Sequence, residues 1–346
     1  MRQRTMGRLA MAVAFGMLIG VLAAVPAGAA SSFQGSSVGA SSLSDLHGIV
    51  CPTTKHCVAI GSDDNGNGKS AVIRVSNGAL TPWSGVLENQ DPNAIACPDT
   101  TTCLTVSDEA VATVSVSTGA MDITSTLKPP KNGIVALGAL ACPTKRSCYA
   151  VGFEGPYESS VALIVHLSPS GRVLGKTKAK GTGIGNIACP SSSLCLISLA
   201  TRTGESIERF RDGRLGAKNA VPSKTYIQAM TCYRAKVCFA LAGLDSGSRT
   251  NELFPINPKT GSIGKAVQLG GFSGDGITCA SATRCLIAGF TGIGSSAKTS
   301  VIVVTKGKPG RARAYPGESL SAVACATATV CYAVGLGASG AVVDRV

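Results

Sequence analysis

The residues with the most distinctive chemistry are 14 cysteines, which fall into seven pairs with the spacing Cys-x5-Cys. Cysteine pairs can ligate metal ions, carry out redox exchange or form structural disulfides. Zinc sites usually combine two close cysteine pairs, or cysteine with histidine, and this chain has only 3 histidines. A redox site would use Cys-x-x-Cys. The spacing therefore favours a disulfide within each pair: Cys51–Cys57, Cys97–Cys103, Cys142–Cys148, Cys189–Cys195, Cys232–Cys238, Cys279–Cys285 and Cys325–Cys331.

An oxidising compartment is consistent with the N-terminus. Arg2, Arg4 and Arg8 precede the uncharged run Leu9–Val25, and Ala27-Gly28-Ala29 has the form of a signal-peptidase site. We expect residues 1–29 to be a signal peptide and the protein to be secreted or associated with the cell surface. The alternative is an uncleaved membrane anchor, for which the run is slightly short. No later segment is apolar and long enough to form a transmembrane helix.

The cysteine pairs recur regularly, since successive first cysteines are 46, 45, 47, 43, 47 and 46 residues apart. A period in this range is typical of propeller or solenoid repeats. A large apolar residue lies two positions before each first cysteine, and a smaller residue lies one position before it. Because alternate side chains point to opposite faces of a strand, this pattern predicts strands that are buried on both sides, as in stacked blades.

Each repeat is predicted to form four antiparallel strands, A to D, with its disulfide between the end of strand A and the start of strand B. Asn77-Gly78 and Asp212-Gly213 are typical of tight hairpin turns between strands C and D. The sequence thus predicts an all-β, seven-bladed β-propeller with four-stranded blades over residues 30–346. The blades are expected to begin near residues 46, 92, 137, 184, 227, 274 and 320.

The last repeat lacks room for its outer strand, because only 15 residues follow Cys331. The segment before Cys51 is longer than one strand A requires. We therefore expect the N-terminal segment around Phe33–Val38 to supply the missing strand and to close the ring.

The third repeat shows the recurring pattern most completely, with Leu140-Ala141-Cys142-Pro143 followed by Cys148-Tyr149-Ala150-Val151-Gly152. It resembles the repeats of secreted bacterial β-propeller proteins, which have the form apolar-x-Cys-Pro-x4-Cys-x-Ala-Val-Gly and are loosely described as sialidase-like or WD-repeat-like. The resemblance covers nearly all of the chain after the signal peptide, although the last three repeats lack the proline. It implies a propeller fold and export, and it brings no known active site.

The formal net charge of +13 includes three charges in the signal peptide, which leaves +10 for the remainder. Lysine and arginine are dispersed, and no basic run is interleaved with aromatic residues, so we expect no nucleic-acid partner. Aromatic residues make up only 4% of the chain, which argues against stacking platforms for sugars. No nucleophile-elbow, zinc-protease, phosphate-loop or dinucleotide motif is present.

The loops between strands B and C vary in length, and variable loops on a rigid scaffold are a usual place for a ligand site. The candidate contacts on this loop face are polar residues: Asp63, Asp64, Glu154, Tyr157, Glu158 and Asp245. Asp63, Asn65 and Asn67 match the start of a calcium loop, but ligands are missing, so we expect a polar loop without an ion and no cofactor. Arg74 occupies the position at which an EF-hand needs glutamate, which excludes an EF-hand, and a hairpin calcium loop is the alternative.

We expect a monomeric, non-enzymatic binding or scaffold module whose loop face contacts an extracellular protein or an envelope polysaccharide. The alternative is a secreted glycan-active hydrolase of the sialidase-like type on the same fold, since fold alone does not decide activity. Two carboxylates with a Tyr or Arg at the mouth of the channel would favour the hydrolase. A structural envelope component without a small ligand is a third possibility.

Overall fold

The computed structural model describes residues 43–63, 70–76, 79–87, 91–222, 225–244, 251–292, 297–315, 318–337 and 340–346. The predicted signal peptide and the predicted closing strand around Phe33–Val38 lie outside these ranges. Within the ranges the chain forms strands and two short 3-10 helices, Tyr157–Ser159 and Arg234–Lys236. No helix in this part of the chain has the length and apolarity needed to cross a membrane.

The strands occupy four positions in each blade, from the axis outwards. The innermost strands, A, are β1 (Leu43–Val50), β5 (Ala94–Ala96), β9 (Ile134–Thr144), β13 (Gly183–Ser191), β17 (Thr225–Tyr233), β21 (Phe272–Cys279) and β26 (Glu318–Cys325). The B strands are β2 (His56–Asp63), β6 (Thr102–Val106), β10 (Ser147–Gly155), β14 (Leu194–Thr201), β18 (Val237–Leu244), β22 (Arg284–Thr291) and β27 (Cys331–Gly337).

The C and D strands complete the blades on the outside. The C strands are β3 (Ser70–Ser76), β7 (Ala110–Ser115), β11 (Val161–Leu167), β15 (Gly204–Arg211), β19 (Asn251–Ile256), β23 (Lys298–Thr305) and β28 (Gly340–Arg345). The D strands are β4 (Ala79–Leu87), β8 (Met121–Thr126), β12 (Val173–Ala179), β16 (Arg214–Ala220) and β20 (Val267–Gln268), with β24 (Lys308–Pro309) and β25 (Arg313–Ala314) as two separate pieces in blade six.

The predicted seven-bladed, all-β architecture is confirmed. Neighbouring strands in each sheet pair antiparallel, in the order A-B-C-D. Six sheets have four or more strands, and the seventh has three among the residues that the structure describes. All seven predicted disulfides form, each within its own blade.

Each blade buries both of its faces, as the alternating apolar pattern predicts. In β2, Cys57 and Ala59 pack towards blade seven, whereas Val58 and Ile60 pack towards blade two. Seven apolar clusters fill the seven spaces between neighbouring blades. The cluster between blades one and seven joins Leu46 to residues of β27 and β28, so apolar packing closes the ring between the first and last blades.

The A strands form a second, inner ring of contacts. Each contacts the A strands of both neighbouring blades, in the closed sequence β1, β5, β9, β13, β17, β21, β26 and back to β1. The A strands therefore surround the axis, and their starting ends lie on the same face as the B–C loops because strands A and B are antiparallel.

The predicted Asp212-Gly213 turn is confirmed, whereas the predicted Asn77-Gly78 turn lies outside the described residues. Asp212 and Gly213 have φ angles of 51° and 77°, as a type I′ hairpin turn requires. Lys306 and Gly307 form an equivalent pair in blade six, with φ angles of 51° and 77°, although lysine is not a typical residue for this conformation.

Candidate functional site

The starting halves of the A strands share a backbone irregularity. In six blades a β-bulge inserts one extra residue into strand A, four positions before the first cysteine. The bulged residues are His47, Gly138, Gly185, Gln228, Asp275 and Ser321, and Asn93 holds the corresponding position just before β5. A bulge redirects its side chain and leaves backbone groups out of the ladder. These seven residues therefore line the mouth of the central channel on the loop face.

The bulge explains the glycine that ends the repeated Ala-Val-Gly. Gly152 of β10 lies opposite the bulge of β9, and a Cβ placed on it would come within 1.8 Å of the Ala136 carbonyl oxygen. A Cβ placed on Gly61 or Gly335 would likewise come within 1.9 Å of the Asp45 carbonyl oxygen or 1.7 Å of the Ser319 carbonyl oxygen. No side chain fits at such a distance, so these blades require glycine at this position.

Side chains from neighbouring blades bind the carbonyl groups next to the bulges. Asn93 Nδ2 donates to the Leu137 carbonyl oxygen at 2.8 Å. Further bonds of this kind join His47 to Pro92, Asn186 to Ile227 and Asn251 to Gly274, and in each the acceptor directly precedes a channel-mouth residue. Because a backbone polar group that leaves the ladder needs another partner, these bonds satisfy the bulges and join adjacent blades.

Two carboxylates lie in the polar part of the mouth. Asp275 is exposed to solvent, but the surrounding blades displace much of its hydration, and this desolvation, together with the negative charge of Asp45, raises the pKa of Asp275 to about 6. Burial also raises the pKa of Asp45, against the opposing effects of His47 and the Leu46 backbone. The Asp45 Oδ1 atom is buried and has no hydrogen-bond partner in the described part of the chain.

A third carboxylate of the loop face has a structural partner. Glu205 Oε2 accepts a hydrogen bond of 2.6 Å from the Ile227 backbone N–H in the neighbouring blade. Burial raises the pKa of Glu205, and the hydrogen bonds from Ile227 and Ser198 oppose that shift. Its role is thus to join blades four and five.

The opposite part of the mouth has no side chain at the bulge positions, because blades three and four carry Gly138 and Gly185 there. A Cβ on Gly138 would meet no atom within 4 Å. An open cleft of about 460 Å³ results, which we call the glycine cleft. It is lined by uncharged residues: Asn93, Ala136, Leu137, Gly138, Gly152, Phe153, Ser160, Thr182, Gly183, Ile184, Gly185 and Ala200.

The sequence-predicted contacts are distributed around the loop face. Glu154 ends up in β10, where it is only 6% exposed, and Lys178 Nζ of β12 lies 2.5 Å from its Oε1 atom. Tyr157 and Glu158 lie in the 3-10 helix that leads to Ser160 at the rim of the glycine cleft, and Glu158 is exposed. Asp63 is the last residue of β2.

The remaining predicted contacts, Asp64 and Asp245, lie outside the described residues, as do the calcium candidates Asn65 and Asn67. Among the residues that are described, no group of three His, Cys, Asp or Glu side chains could hold a metal ion. The channel-mouth residues themselves are missing from the sequence-based candidates. A feature of the sequence could have identified them: the position four residues before each first cysteine is polar in five repeats and glycine in two.

Comparisons with known proteins concern the fold. No protein-family model matches the chain, and no curated protein matches it. The solved WD40 β-propeller domain of Doa1 is 10% identical, with a TM-score of 0.61 over 89% of this chain and 95% of that chain. YCF48 bound to D1 peptide is 11% identical, with a TM-score of 0.60 over 88% of this chain and 94% of that chain. U3-55K is 13% identical, with a TM-score of 0.54 over 73% and 76% of the two chains.

At these identities the likeness is one of fold. The chain is a seven-bladed β-propeller with WD40-like structural neighbours, and it has a disulfide in each blade.

Proposed function

We propose that this protein is a non-enzymatic, exported binding module that holds a linear peptide segment of a partner protein in the glycine cleft. The observation that carries the proposal is the cleft itself, which is uncharged and opens into the channel mouth. An extended peptide needs backbone donors and acceptors, and the bulges at Gly138 and Gly185 supply backbone groups outside the ladder. Phe153 and Ile184 add apolar surface for its side chains.

Three further observations support this function. One structural neighbour, YCF48, is itself a propeller solved with a bound peptide. The cleft has a single aromatic residue, Phe153, which favours a peptide over a polysaccharide that needs stacking surfaces. The signal-like N-terminus and the absence of free cysteines in the described chain favour export and an extracellular partner.

Filling the cleft provides the test. The double variant Gly138→Leu/Gly185→Leu places side chains into the cleft, and a Cβ at Gly185 meets only Ser198 Oγ, at 3.4 Å. Gly175→Leu on the outer strand β12 is the matched control, because a Cβ there also meets no atom within 4 Å. Peptides selected by the wild-type protein from a displayed library of random linear peptides serve as the probe, with affinity measured by fluorescence anisotropy.

We expect the double variant to weaken peptide binding by at least roughly tenfold, whereas the control retains it. Selection of no binding peptide, or equal affinities for the double variant and wild type, would remove the proposal.

A second candidate function is a glycan-active hydrolase, and the Asp45–Asp275 pair is the observation that favours it. A carboxyl group with a pKa of about 6 is suited to donate a proton near neutral pH, and a second carboxylate is the usual partner in glycoside hydrolysis. Tyr226 OH accepts a hydrogen bond from Gln228 Nε2 at 3.3 Å in the same part of the mouth.

Aryl glycosides test this candidate directly. Turnover by the wild-type protein that falls by at least roughly a hundredfold in Asp275→Asn would support a hydrolase, since general acid catalysis contributes on that order. Absence of turnover, or equal turnover by the variant, would exclude Asp275 as its acid.

A further inference from the structure

A second concave site lies on the opposite face, at the outer hairpin of blade four. Strands β15 and β16 and the start of β14 form a pocket of about 530 Å³. Three of its lining residues are arginines, Arg209, Arg211 and Arg214. The remaining lining residues are Leu194, Asp212, Leu215 and Gly216. We refer to this site as the arginine pocket.

The hairpin register brings the three arginines together. Arg211 and Arg214 are direct cross-strand partners on either side of the Asp212-Gly213 turn. Arg209 precedes Arg211 by two residues, so both side chains leave the same face of β15. Like charges that lie directly opposite each other destabilise a hairpin. An anion bound between these guanidinium groups would offset that repulsion.

The three arginines have no ion-pair partner among the described residues, although the Asp212 carboxylate lies in the same pocket. None of the three guanidinium groups forms an ion pair or a hydrogen bond within the described ranges, and Asp212 forms no ion pair there either. The Nε atom of Arg209 is buried without a hydrogen-bond partner. The Arg209 side chain lies beside Gly216 and Gly261, and ideal Cβ positions built on these glycines would be 3.7 Å from Arg209 Nε and 3.5 Å from Arg209 Cγ. A buried N–H donor that no protein group satisfies is able to donate to an acceptor that enters the pocket.

We propose that the arginine pocket binds a phosphate group. Three guanidinium groups and one carboxylate leave two positive charges in the pocket, which attract the negative charge of a phosphate group. Guanidinium forms paired hydrogen bonds to phosphate oxygens, and Arg209 Nε supplies a fixed donor. The phosphate can be free in solution or carried by an extracellular polymer, and the walls formed by Leu194 and Leu215 are compatible with either source.

The test compares two variants that remove the same charge. Arg211→Gln/Arg214→Gln removes two guanidinium groups from the pocket. Arg146→Gln/Arg172→Gln removes two exposed arginines from the same face of blade three and is the matched control. The probes are inorganic phosphate and poly(glycerol phosphate), each exchanged against sodium chloride at equal ionic strength. Binding is measured by isothermal titration calorimetry and by the shift in the midpoint of thermal unfolding.

We expect the pocket variant to lose at least roughly tenfold in phosphate affinity and its ligand-dependent thermal shift, whereas the control keeps both. Binding of poly(glycerol phosphate) alone, with the same sensitivity to the pocket variant, would assign the phosphate to a polymer. Equal losses in the two double variants would show that net charge alone attracts the anion and would overturn the proposal. Absence of binding by the wild-type protein to both probes would also overturn it.

A conservative substitution tests the geometry separately from the charge. Arg209→Lys keeps the positive charge but removes the buried Nε donor. We expect a loss of at least roughly fivefold in phosphate affinity with an unchanged midpoint of thermal unfolding in sodium chloride. Unchanged affinity in this variant would show that Arg209 Nε is not a ligand to the phosphate.

Discussion

The β-bulge of strand A occurs on both sides of the channel mouth, but the residue at the bulge differs between the two sides. Blades five, six, seven, one and two have Gln228, Asp275, Ser321, His47 and Asn93 at the channel-mouth position. Blades three and four have Gly138 and Gly185 at the same position. On the polar side, His47 and Asn93 bind carbonyl groups of the next blade. On the glycine side, the missing side chains leave a cleft.

This difference shows that a bulge can serve either stability or binding, according to the side chain that it carries. A side chain on a bulge can bind the exposed carbonyl of the next blade and tie the two blades together. A glycine on a bulge has no side chain of its own and leaves open space beside the backbone for a ligand. The three predictions below test this division, in order of decreasing effect.

The largest effect is expected from two glycines of blade three that differ only in their surroundings. Gly152→Ala places a Cβ within 1.8 Å of the Ala136 carbonyl oxygen, whereas Gly138→Ala places it in open space. We expect Gly152→Ala to lower the free energy of unfolding by about 3 kcal/mol, because backbone must move. Gly138→Ala should change it by less than about 0.5 kcal/mol. Urea denaturation with the disulfides intact measures both, and similar losses in the two variants would contradict this account of the bulge.

A smaller effect is expected where a side chain links two blades. Asn251 is 1% exposed, and its Nδ2 donates to the Gly274 carbonyl oxygen at 3.0 Å. Asn251→Ala should lower the free energy of unfolding by about 2 kcal/mol, because it leaves that carbonyl without its donor. Asn93→Ala should cost only about 1 kcal/mol, because Asn93 is exposed and water can replace it. Thermal unfolding ranks the two variants, and a larger loss for Asn93→Ala would reverse the comparison.

The smallest effect concerns the carboxylate on the polar side. The folded state raises the pKa of Asp275 from 3.8 to about 6, so it binds the proton more tightly than the unfolded chain. Its contribution to stability is therefore present below the unfolded pKa and is lost as the pH rises through about 6. Because the side chain is exposed to solvent, screening limits the effect to about 1 kcal/mol.

Asp275→Asn should accordingly raise the free energy of unfolding at about pH 7.5 and leave it nearly unchanged at about pH 4. Asp122→Asn on the exposed outer strand β8 is the control and should have little effect at either pH. The measurement is the midpoint of urea unfolding of both variants and the wild-type protein at the two pH values. A gain for Asp275→Asn that is greater at low pH would contradict the assigned direction.

Much of the fold could be predicted from local patterns in the amino-acid sequence. The spacing of the cysteines predicted every disulfide, and the apolar residues before Cys51 and its counterparts predicted burial on both faces. The Asp212-Gly213 turn was also predictable, because aspartate and glycine tolerate positive φ. The residues of the candidate site were much harder to predict from the sequence. Glu154, predicted as a loop contact, is buried and paired with Lys178 from an outer strand, a contact that depends on the strand register.

The amino-acid sequence by itself determined the repeat, the strand pattern and the disulfides, because each of these depends on residues that are close together in one repeat. Only the tertiary structure decided how the repeats act on one another. The glycine cleft is lined mainly by residues of blades three and four. The Asp45–Asp275 pair brings together carboxylates of blades one and six. The arginine pocket depends on the hairpin register of blade four. The first two sites exist because closing the ring brings residues of different blades together, whereas the third depends on the register within one hairpin.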